Sequence, residues 1–285
     1  MWTNKRKSKV VNVVLKSWLI FLLVVITISI LFPVYFVVAT SLKSYGEYVK
    51  NPILIDFSAV SFGNYVTVLK SNNLFRAFGN SVVITAISVV ATVIFSALGS
   101  FAISVIRFKG SQLFKSLSVI TMFFTGELTY IPLFLLYNKL GLLNSYWVLI
   151  IPCLIGFPSL GIMLGSNYLK DVPSDIHEAA FIDGCGVWTM FWKVDLPLMR
   201  PVIALIAVMS FQSAWSEFFW PMITTLGNED VYTLPLKILQ FKAADASMFG
   251  EYCAGLTVMT IPMVIVYMFF SKYFIQGMTG GAVKG

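Results

Sequence analysis

Six runs of 20 or more predominantly apolar residues, at 17–40, 78–106, 114–137, 146–169, 201–226 and 252–275, account for most of this chain. A hydrocarbon core about 30 Å thick is crossed by roughly 20 helical residues, so each run has the length of a membrane span. No water is available there to satisfy a free backbone N–H or C=O, which leaves the helix as the form such a run takes. Composition agrees: 58% of the residues are hydrophobic and 12% charged, against roughly 25% charged in soluble domains. The expected fold is all-α: one polytopic transmembrane domain over residues 1–285 with six helices.

The formal charge of +7 follows this division. Lys5, Arg6, Lys7, Lys9 and Lys16 precede the first run, Arg107, Lys109 and Lys115 separate the second from the third, and Lys139 stands alone after the third. Short loops rich in Lys and Arg stay in the cytoplasm. The N-terminal segment 1–16 and the loop 170–200 are therefore placed inside, 41–77 and 227–251 outside, and an even number of crossings returns the tail 276–285 to the cytoplasm. The loop 41–77 dissents with Lys43, Lys50, Lys70 and Arg76, but the N-terminal cluster outweighs it. The positive charge thus reads as inner-membrane topology and not as a nucleic-acid surface. The first run exceeds the length of a secretory signal and lacks a small-residue cleavage pattern, so it reads as a retained helix. Cys153, Cys185 and Cys253 show no C-x-x-C spacing and read as packing residues.

Between the runs, 41–77 carries Asn51-Pro52 and Ser61-Phe62-Gly63-Asn64-Tyr65, turn formers of an ordered excursion. The segment 227–251 predicts a short helix around 236–241 facing an aqueous partner. The most polar loop, 170–200, carries the strongest signal. Pro173, Ser174 and Asp175 open a helix there, and Asp175 with Glu178 three positions on has the spacing of a capping box. Ile176, Ala179, Ala180 and Asp183 fall on one face of it. Gly184 and Gly186 end it, a second short helix is predicted over 188–194, and Leu196-Pro197 turns the chain back toward the membrane.

Written out, this loop is Glu178-Ala179-Ala180-Phe181-Ile182-Asp183-Gly184, nine residues, then Val194-Asp195-Leu196-Pro197. It resembles the EAA loop, E-A-A-x3-G-x9-I-x-L-P, of permease subunits of binding-protein-dependent, ATP-driven importers, with Val194 in place of the isoleucine. Asn80-Ser81, Ile131-Pro132-Leu133, Gly141-Leu142-Leu143-Asn144, Trp215-Ser216-Glu217-Phe218 and the Gly-rich ending 276–285 are similar to the smaller, maltose-permease-like subunit of the sugar-importing branch. Ser216 stands where that branch usually has asparagine.

The resemblance implies a type I ABC importer permease fold and transport of a sugar, by branch an oligosaccharide, with alternating access. It implies a second permease subunit, two ABC ATPase subunits that hold ATP and Mg, and an extracytoplasmic solute-binding protein. The loop is then a coupling helix: Glu178 and Asp183 provide polar anchoring, Ala179 and Ala180 a small face for a groove on the ATPase, Gly184 the turn, and Leu196 and Pro197 the return. Gly281, Val283 and Lys284 in the tail form a second ATPase contact, and 227–251 meets the binding protein.

No phosphate-binding loop G-x-x-x-x-G-K-[ST] occurs in the chain, so nucleotide hydrolysis is assigned to another polypeptide, and this chain is expected to hold no cofactor and to be no enzyme. His177-Glu178 begins like a zinc H-E-x-x-H helix, but position 181 is Phe and the chain has one histidine, so no metal is expected. A membrane enzyme would need an acidic or histidine cluster at one membrane face, and none appears outside the loop. Acids within spans default to functional hypotheses. Glu127 and Glu217, with Tyr130, Gln212 and Trp215, are candidates for a sugar path; the alternative is that both acids bond to backbone, or to each other, near helix breaks at Pro132 and Pro221. Gly161 and Gly165 form a G-x-x-x-G that permits a close helix crossing.

Overall fold

Backbone hydrogen bonding decides the architecture first: in the computed structural model, which describes residues 3–123, 126–156, 158–225 and 227–280, the regular elements are all helices. In chain order they are α1 (Thr3–Ser41), α2 (Tyr45–Lys50), α3 (Gly63–Lys70), α4 (Leu74–Phe101, continued by a π turn Ala102–Ile106), α5 (Ser111–Thr121), α6 (Gly126–Lys139), α7 (Tyr146–Gly156) and α8 (Pro158–Lys170). They continue with α9 (Ser174–Ile182), α10 (Val187–Met190), α11 (Leu196–Leu198), α12 (Arg200–Ser216), α13 (Phe219–Thr224), α14 (Leu234–Ala244) and α15 (Phe249–Gly280). The chain forms two compact units, 1–71 with 240–258, and 72–239 with 259–285.

In the first unit, α1 exposes its apolar side chains all round from Leu15 to Tyr35, a surface suited to hydrocarbon and not to water. Beyond it, α2 and α3 are tied down by polar side chains. Asn64 donates to the carbonyls of Ser41 and Lys43 (2.9 and 2.8 Å), and the buried Lys43 ammonium donates to those of Asn51 and Pro52 (2.9 and 3.1 Å). The excursion 41–77 is thus ordered, as its turn residues predict.

The second unit is organised around α4 and α8. Ser96, Ser100 and Ser104 donate across the interface to the carbonyls of Pro158, Ile162 and Ser166 (3.3, 3.1 and 3.1 Å), one rung per helical turn. Gly161 and Gly165 allow this approach: a Cβ on Gly161 would stand 2.0 Å from Ser96 Oγ, and one on Gly165 2.3 Å from Ser100 Oγ. Because residue numbers rise together on both sides, α4 and α8 run in the same direction. The chain between them must therefore return, and α5 does so, pairing Thr121 with Ser159 at its end and Lys115 with Asn167 at its start. The helix α12 also opposes α8, meeting Gly165 at Met199 and Gly161 at Ile206. In turn α15 opposes α12, with Trp215 Nε1 donating to the Met259 carbonyl (3.0 Å) while Val208 and Gln212 meet Met263 and Tyr267. Five successive segments thus alternate in direction, as successive crossings require.

Four of the six expected spans are long and apolar enough to cross by themselves, namely Leu15–Ser41, Leu74–Ile106, Tyr146–Lys170 and Ala246–Ser271; α12 qualifies together with the bent stretch before it. The expected third span is not one rod: α5 ends at Thr121 and α6 begins at Gly126. The fifth breaks at Glu217, whose extended backbone ends α12 before α13 begins. In lipid such breaks survive where side chains re-satisfy the freed backbone groups, and Glu217 does so, accepting from the Trp220 amide at 2.9 Å.

The segment 227–251 departs from its expected exposure. The helix α14 forms, but residues 231–238 are buried. They are held by Asn80, which donates to the carbonyls of Asp230 and Tyr232 (both 2.9 Å), by Ser81, which accepts from the Leu234 amide (2.8 Å), and by Tyr146, which donates to Asn80 (3.0 Å). Arg76 pairs with Asp230, and Lys237 with Glu229 at 2.9 Å.

If the ladder sets the packing of α4 on α8, Gly161→Ala, which drives a methyl into Ser96, lowers stability by about 1–3 kcal/mol as over-packed interfaces do. Gly79→Ala on the same α4, where the new methyl meets nothing within 4 Å, does not lower it and raises it by up to about 1 kcal/mol through the helix propensity of alanine over glycine. Thermal unfolding of the detergent-solubilised protein, compared between the two variants, measures the difference.

Candidate functional site

Between α8 and α12 the chain builds a hook. The helix α9 begins after Pro173 and has no side-chain cap, so the capping box expected of Asp175 and Glu178 does not form. Proline supplies the entry instead, since its ring fixes the extended-to-helix bend. At the other end the Gly184 amide donates to Phe181 and the Cys185 amide to Ala180 (both 3.0 Å), while Gly184 adopts φ +76°. This is a Schellman stop, and the left-handed residue it requires is the glycine of the motif. The second short helix is α10, followed by a π turn over Phe191–Asp195 and by α11. Pro201 stands in the first turn of α12, where a missing N–H costs nothing, and the stretch Val187–Leu198 meets α12 at 76°.

The two alanines of the loop do not share an outward face. Ala180 is 7% exposed and belongs to an apolar cluster with Ala97 and Phe101 of α4, Leu169 of α8, Met190 and Phe191 of the hook, and Met199, Val202 and Ile206 at the start of α12. Ala179, Glu178, Asp183 and Gly184 are exposed, as are Phe181 and Ile182, whereas Leu196 and Pro197 are half-buried. Spacing places four residues on one stripe but does not say which way the helix turns, and here the core takes Ala180. The outward surface is thus Glu178, Ala179 and Asp183 together with two apolar side chains, Phe181 and Ile182, that sequence reasoning passed over.

His177 and Asp195 join the two arms of the hook through a 2.8 Å hydrogen bond. Asp195 is fully buried, and its Oδ2 has no partner among the described residues. Burial pushes its carboxyl above the usual carboxylate value, and the bond to His177 offsets part of that rise.

The residues proposed for a sugar path separate. Tyr130 and Glu217 line one cavity of about 400 Å³ with Ser213, Ser216, Phe218 and Phe219, and the Tyr130 hydroxyl stands 3.5 Å from Glu217 Oε2. Trp215 is instead buried: its indole bonds the Met259 carbonyl, and its ring stacks on Phe211 and meets Phe78 edge-on. Gln212 lines a different groove, toward Met263 and Tyr267. Glu127 falls outside the residues whose side chains are described, and Gly281, Val283 and Lys284 outside the described residues altogether. Among the described residues no group of three or more His, Cys, Asp or Glu side chains has the geometry to hold a metal ion.

Residues 1–280 match the family described as the inner-membrane component of binding-protein-dependent transport systems. The chain is 32% identical over 273 residues to an arabinooligosaccharides transport system permease protein of Halalkalibacterium halodurans, covering 94% of this chain and 97% of that one. It is 30% identical over 272 residues, with the same coverage, to a probable starch degradation products transport system permease protein of Thermoanaerobacterium thermosulfurigenes. Among solved structures, a chain of a bacterial ABC transporter involved in the import of the acidic polysaccharide alginate superposes with a TM-score of 0.74 at 28% identity, over 96% of this chain and 99% of that one. Full-length correspondence, alternating membrane helices and the hook agree: the chain belongs to the family of inner-membrane components of binding-protein-dependent transport systems, a transporter permease and not an enzyme.

Proposed function

We propose that this chain is the permease subunit of an ABC importer that carries an oligosaccharide into the cytoplasm, with residues 170–200 as the cytoplasmic hook through which ATPase subunits drive it. The observation that carries the reading is the continuity of the hook's interior with the bundle: Ala180, Met190 and Phe191 pack in one cluster with the facing ends of α4, α8 and α12. Force applied to Glu178, Ala179 or Asp183 is then transmitted through close-packed side chains to three helices together, the condition for rigid-body switching. Gly184 fixes the angle between the arms, and Leu196 and Pro197 lead the second arm into α12.

The basic residues in the first turns of α1, Lys5 to Lys16, support an N-terminus on the cytoplasmic side, and six crossings would return the tail to that side, where Gly281, Val283 and Lys284 offer a second contact for the ATPases. ATP and Mg belong to those partner subunits. A second permease subunit and an extracytoplasmic solute-binding protein complete the assembly. The surface for the binding protein is reduced to the exposed parts of 227–251, such as Asp230, Lys242 and Asp245, because 231–238 are buried. Oligosaccharide cargo is supported by the named roles of the relatives, and Tyr130 with Glu217 is the part of the predicted path that the fold assembles in one cavity.

Deleting 178–184 removes the outward face and the Schellman stop together. The shortened chain is expected to reach the membrane, fail to co-purify with the ATPase subunits and transport nothing; normal uptake by that variant would refute the coupling role.

The buried carboxylate gives the hook a pH signature. Because the folded pKa of Asp195 is raised, its contribution to stability is complete below the unfolded value of about 4 and is lost as the pH rises through the folded value. Asp195→Asn cannot ionise, so its thermal midpoint is expected to gain on the wild type as the pH is raised from 4.5 to 7.5; parallel midpoints across that range would contradict the assignment.

A further inference from the structure

The described tryptophans divide by their surroundings. Trp215 and Trp220 are buried, and each indole N–H donates to a carbonyl, that of Met259 at 3.0 Å and that of Val148 at 2.7 Å. Trp18 and Trp147 are exposed and stand at the start of the spans Leu15–Ser41 and Tyr146–Lys170. Membrane helices gather tryptophan at that level, because its ring suits the apolar side of the headgroup boundary and its N–H the polar side. Trp188 and Trp192 are as exposed, at 66% and 60%, yet they belong to the second arm of the hook.

The geometry of that arm gives these two the same level. Both rings pack edge-on against Phe191, with centroids 6.4 and 5.2 Å away, and Phe191 is itself fixed in the apolar cluster beneath the hook. The indoles are thus held in place while remaining uncovered. By composition the arm, Val187–Leu198, continues the span of α12, but the two meet at 76° with Met199 alone between them. Since a span tilts by about 20° on average, an arm so angled runs close to the membrane plane. Its junction with α12 sets it at the depth where that crossing begins.

Charge divides the two arms in the same sense. The first, 174–183, carries Asp175, Glu178 and Asp183 and neither lysine nor arginine. The second exposes Lys193, with Arg200 exposed just beyond it, while its one acid, Asp195, is buried. Neither cation pairs with a carboxylate among the described residues. Aromatic side chains beside Lys and Arg on a helix in the membrane plane are what an anionic lipid surface attracts, whereas three acids are repelled by it.

We infer that the second arm of the hook rests in the headgroup layer of the cytoplasmic leaflet, with Trp188 and Trp192 seated at the acyl boundary and Lys193 and Arg200 on the phosphates of anionic phospholipid. The first arm is then left to a protein partner while the second bears on lipid. A protein covering the second arm would have to enter the headgroup layer to reach the indoles, which favours lipid as the occupant. The inference rests on the cytoplasmic placement proposed above for the hook and adds a second partner to it.

The test uses the complete transporter, with its ATPase subunits, in nanodiscs of phosphatidylethanolamine and phosphatidylglycerol. In a chain whose Cys153, Cys185 and Cys253 are replaced by alanine, nitroxide labels on Trp188→Cys and on Trp192→Cys are expected to collide with oxygen more than with a water-soluble nickel chelate, at a depth of about 5–10 Å. Collisions dominated by the chelate overturn the inference, as do labels shielded from both reagents, the signature of a protein cover. Should the labelled chains not assemble, the double variant Trp188→Phe, Trp192→Phe decides, because it keeps an aromatic ring on each side of Phe191. Phospholipid brominated near the headgroup end of its acyl chains is expected to quench a smaller fraction of the tryptophan emission in that variant than in wild type; an equal or larger fraction overturns the inference. Right-side-out vesicles bearing Ile182→Cys are expected not to react with a membrane-impermeant thiol reagent. Reaction there places the hook on the other face and overturns the cytoplasmic reading together with the inference, whereas the label and quenching outcomes overturn the inference alone.

Discussion

The contact between α4 and α8 carries the second unit. Lipid tails are as apolar as leucine, so helices in a membrane gain little from hydrophobicity when they meet; close packing and interhelical hydrogen bonds must hold them. Here both come from one pattern. Three serines spaced four apart on α4 face carbonyls spaced four apart on α8, and glycines where the backbones are nearest let the serines reach. Each bond is worth about 0.6 kcal/mol by the average for membrane helices, so the larger part of the constraint is geometric. A bond at each of three successive turns fixes both direction and register, which a greasy interface of leucines would not. The opposed paths of α5 and α12 against α8 follow from it.

That register also explains why the hook is part of the bundle and not an appendage. The C-terminal ends of α4 and α8 arrive side by side, leaving Phe101 and Leu169 as a shared apolar floor. The loop covers it with Ala180, Met190 and Phe191, the last packing its ring 5.2 Å from that of Phe101. A residue larger than alanine at 180 would lift α9 off this floor. The motif's second alanine thus has an explanation inside the chain, whereas its first alanine and the glutamate face outward and have none there.

How much of this was legible follows from what a sequence encodes locally. Apolar length announced the spans, and the glycine after a nine-residue helix announced the stop at Gly184, because both signals are satisfied by the backbone itself. The serine ladder was half legible: Gly161 and Gly165 marked the close crossing, but their partners at Ser96 and Ser100 lie 65 residues away and only the fold pairs them. Orientation was illegible. The stripe Ile176, Ala179, Ala180 and Asp183 reads equally well turned in or out, and Trp215 reads equally well as a sugar platform or as the buried ring it is. The burial of 231–238 escaped for a related reason: Asn80, Ser81 and Tyr146 satisfy its backbone from distant helices, so a segment whose composition suits water can be drawn inward. The breaks were misplaced: proline pointed to Pro132 and Pro221, but both lie inside helices, whereas the chain breaks after Thr121 and at Glu217, where the carboxylate accepts from the Trp220 amide.

Asp195 is the one place in the hook where burial works against the fold. A carboxylate with a single partner in an apolar setting is weak evidence for stability, since desolvation offsets most of what the bond returns. What such a bond does supply is geometry. It reaches from the first arm of the hook to the residue immediately before α11, where the second arm turns through 76° into α12. The apolar cluster beneath is non-directional and would tolerate some sliding of α9, whereas a hydrogen bond weakens steeply once its angle is lost. The packing therefore makes the hook move with the bundle, and the polar bond fixes where along the bundle α9 sits. The coupling role proposed for the hook needs both, because a push delivered to a helix free to slide is spent on the sliding.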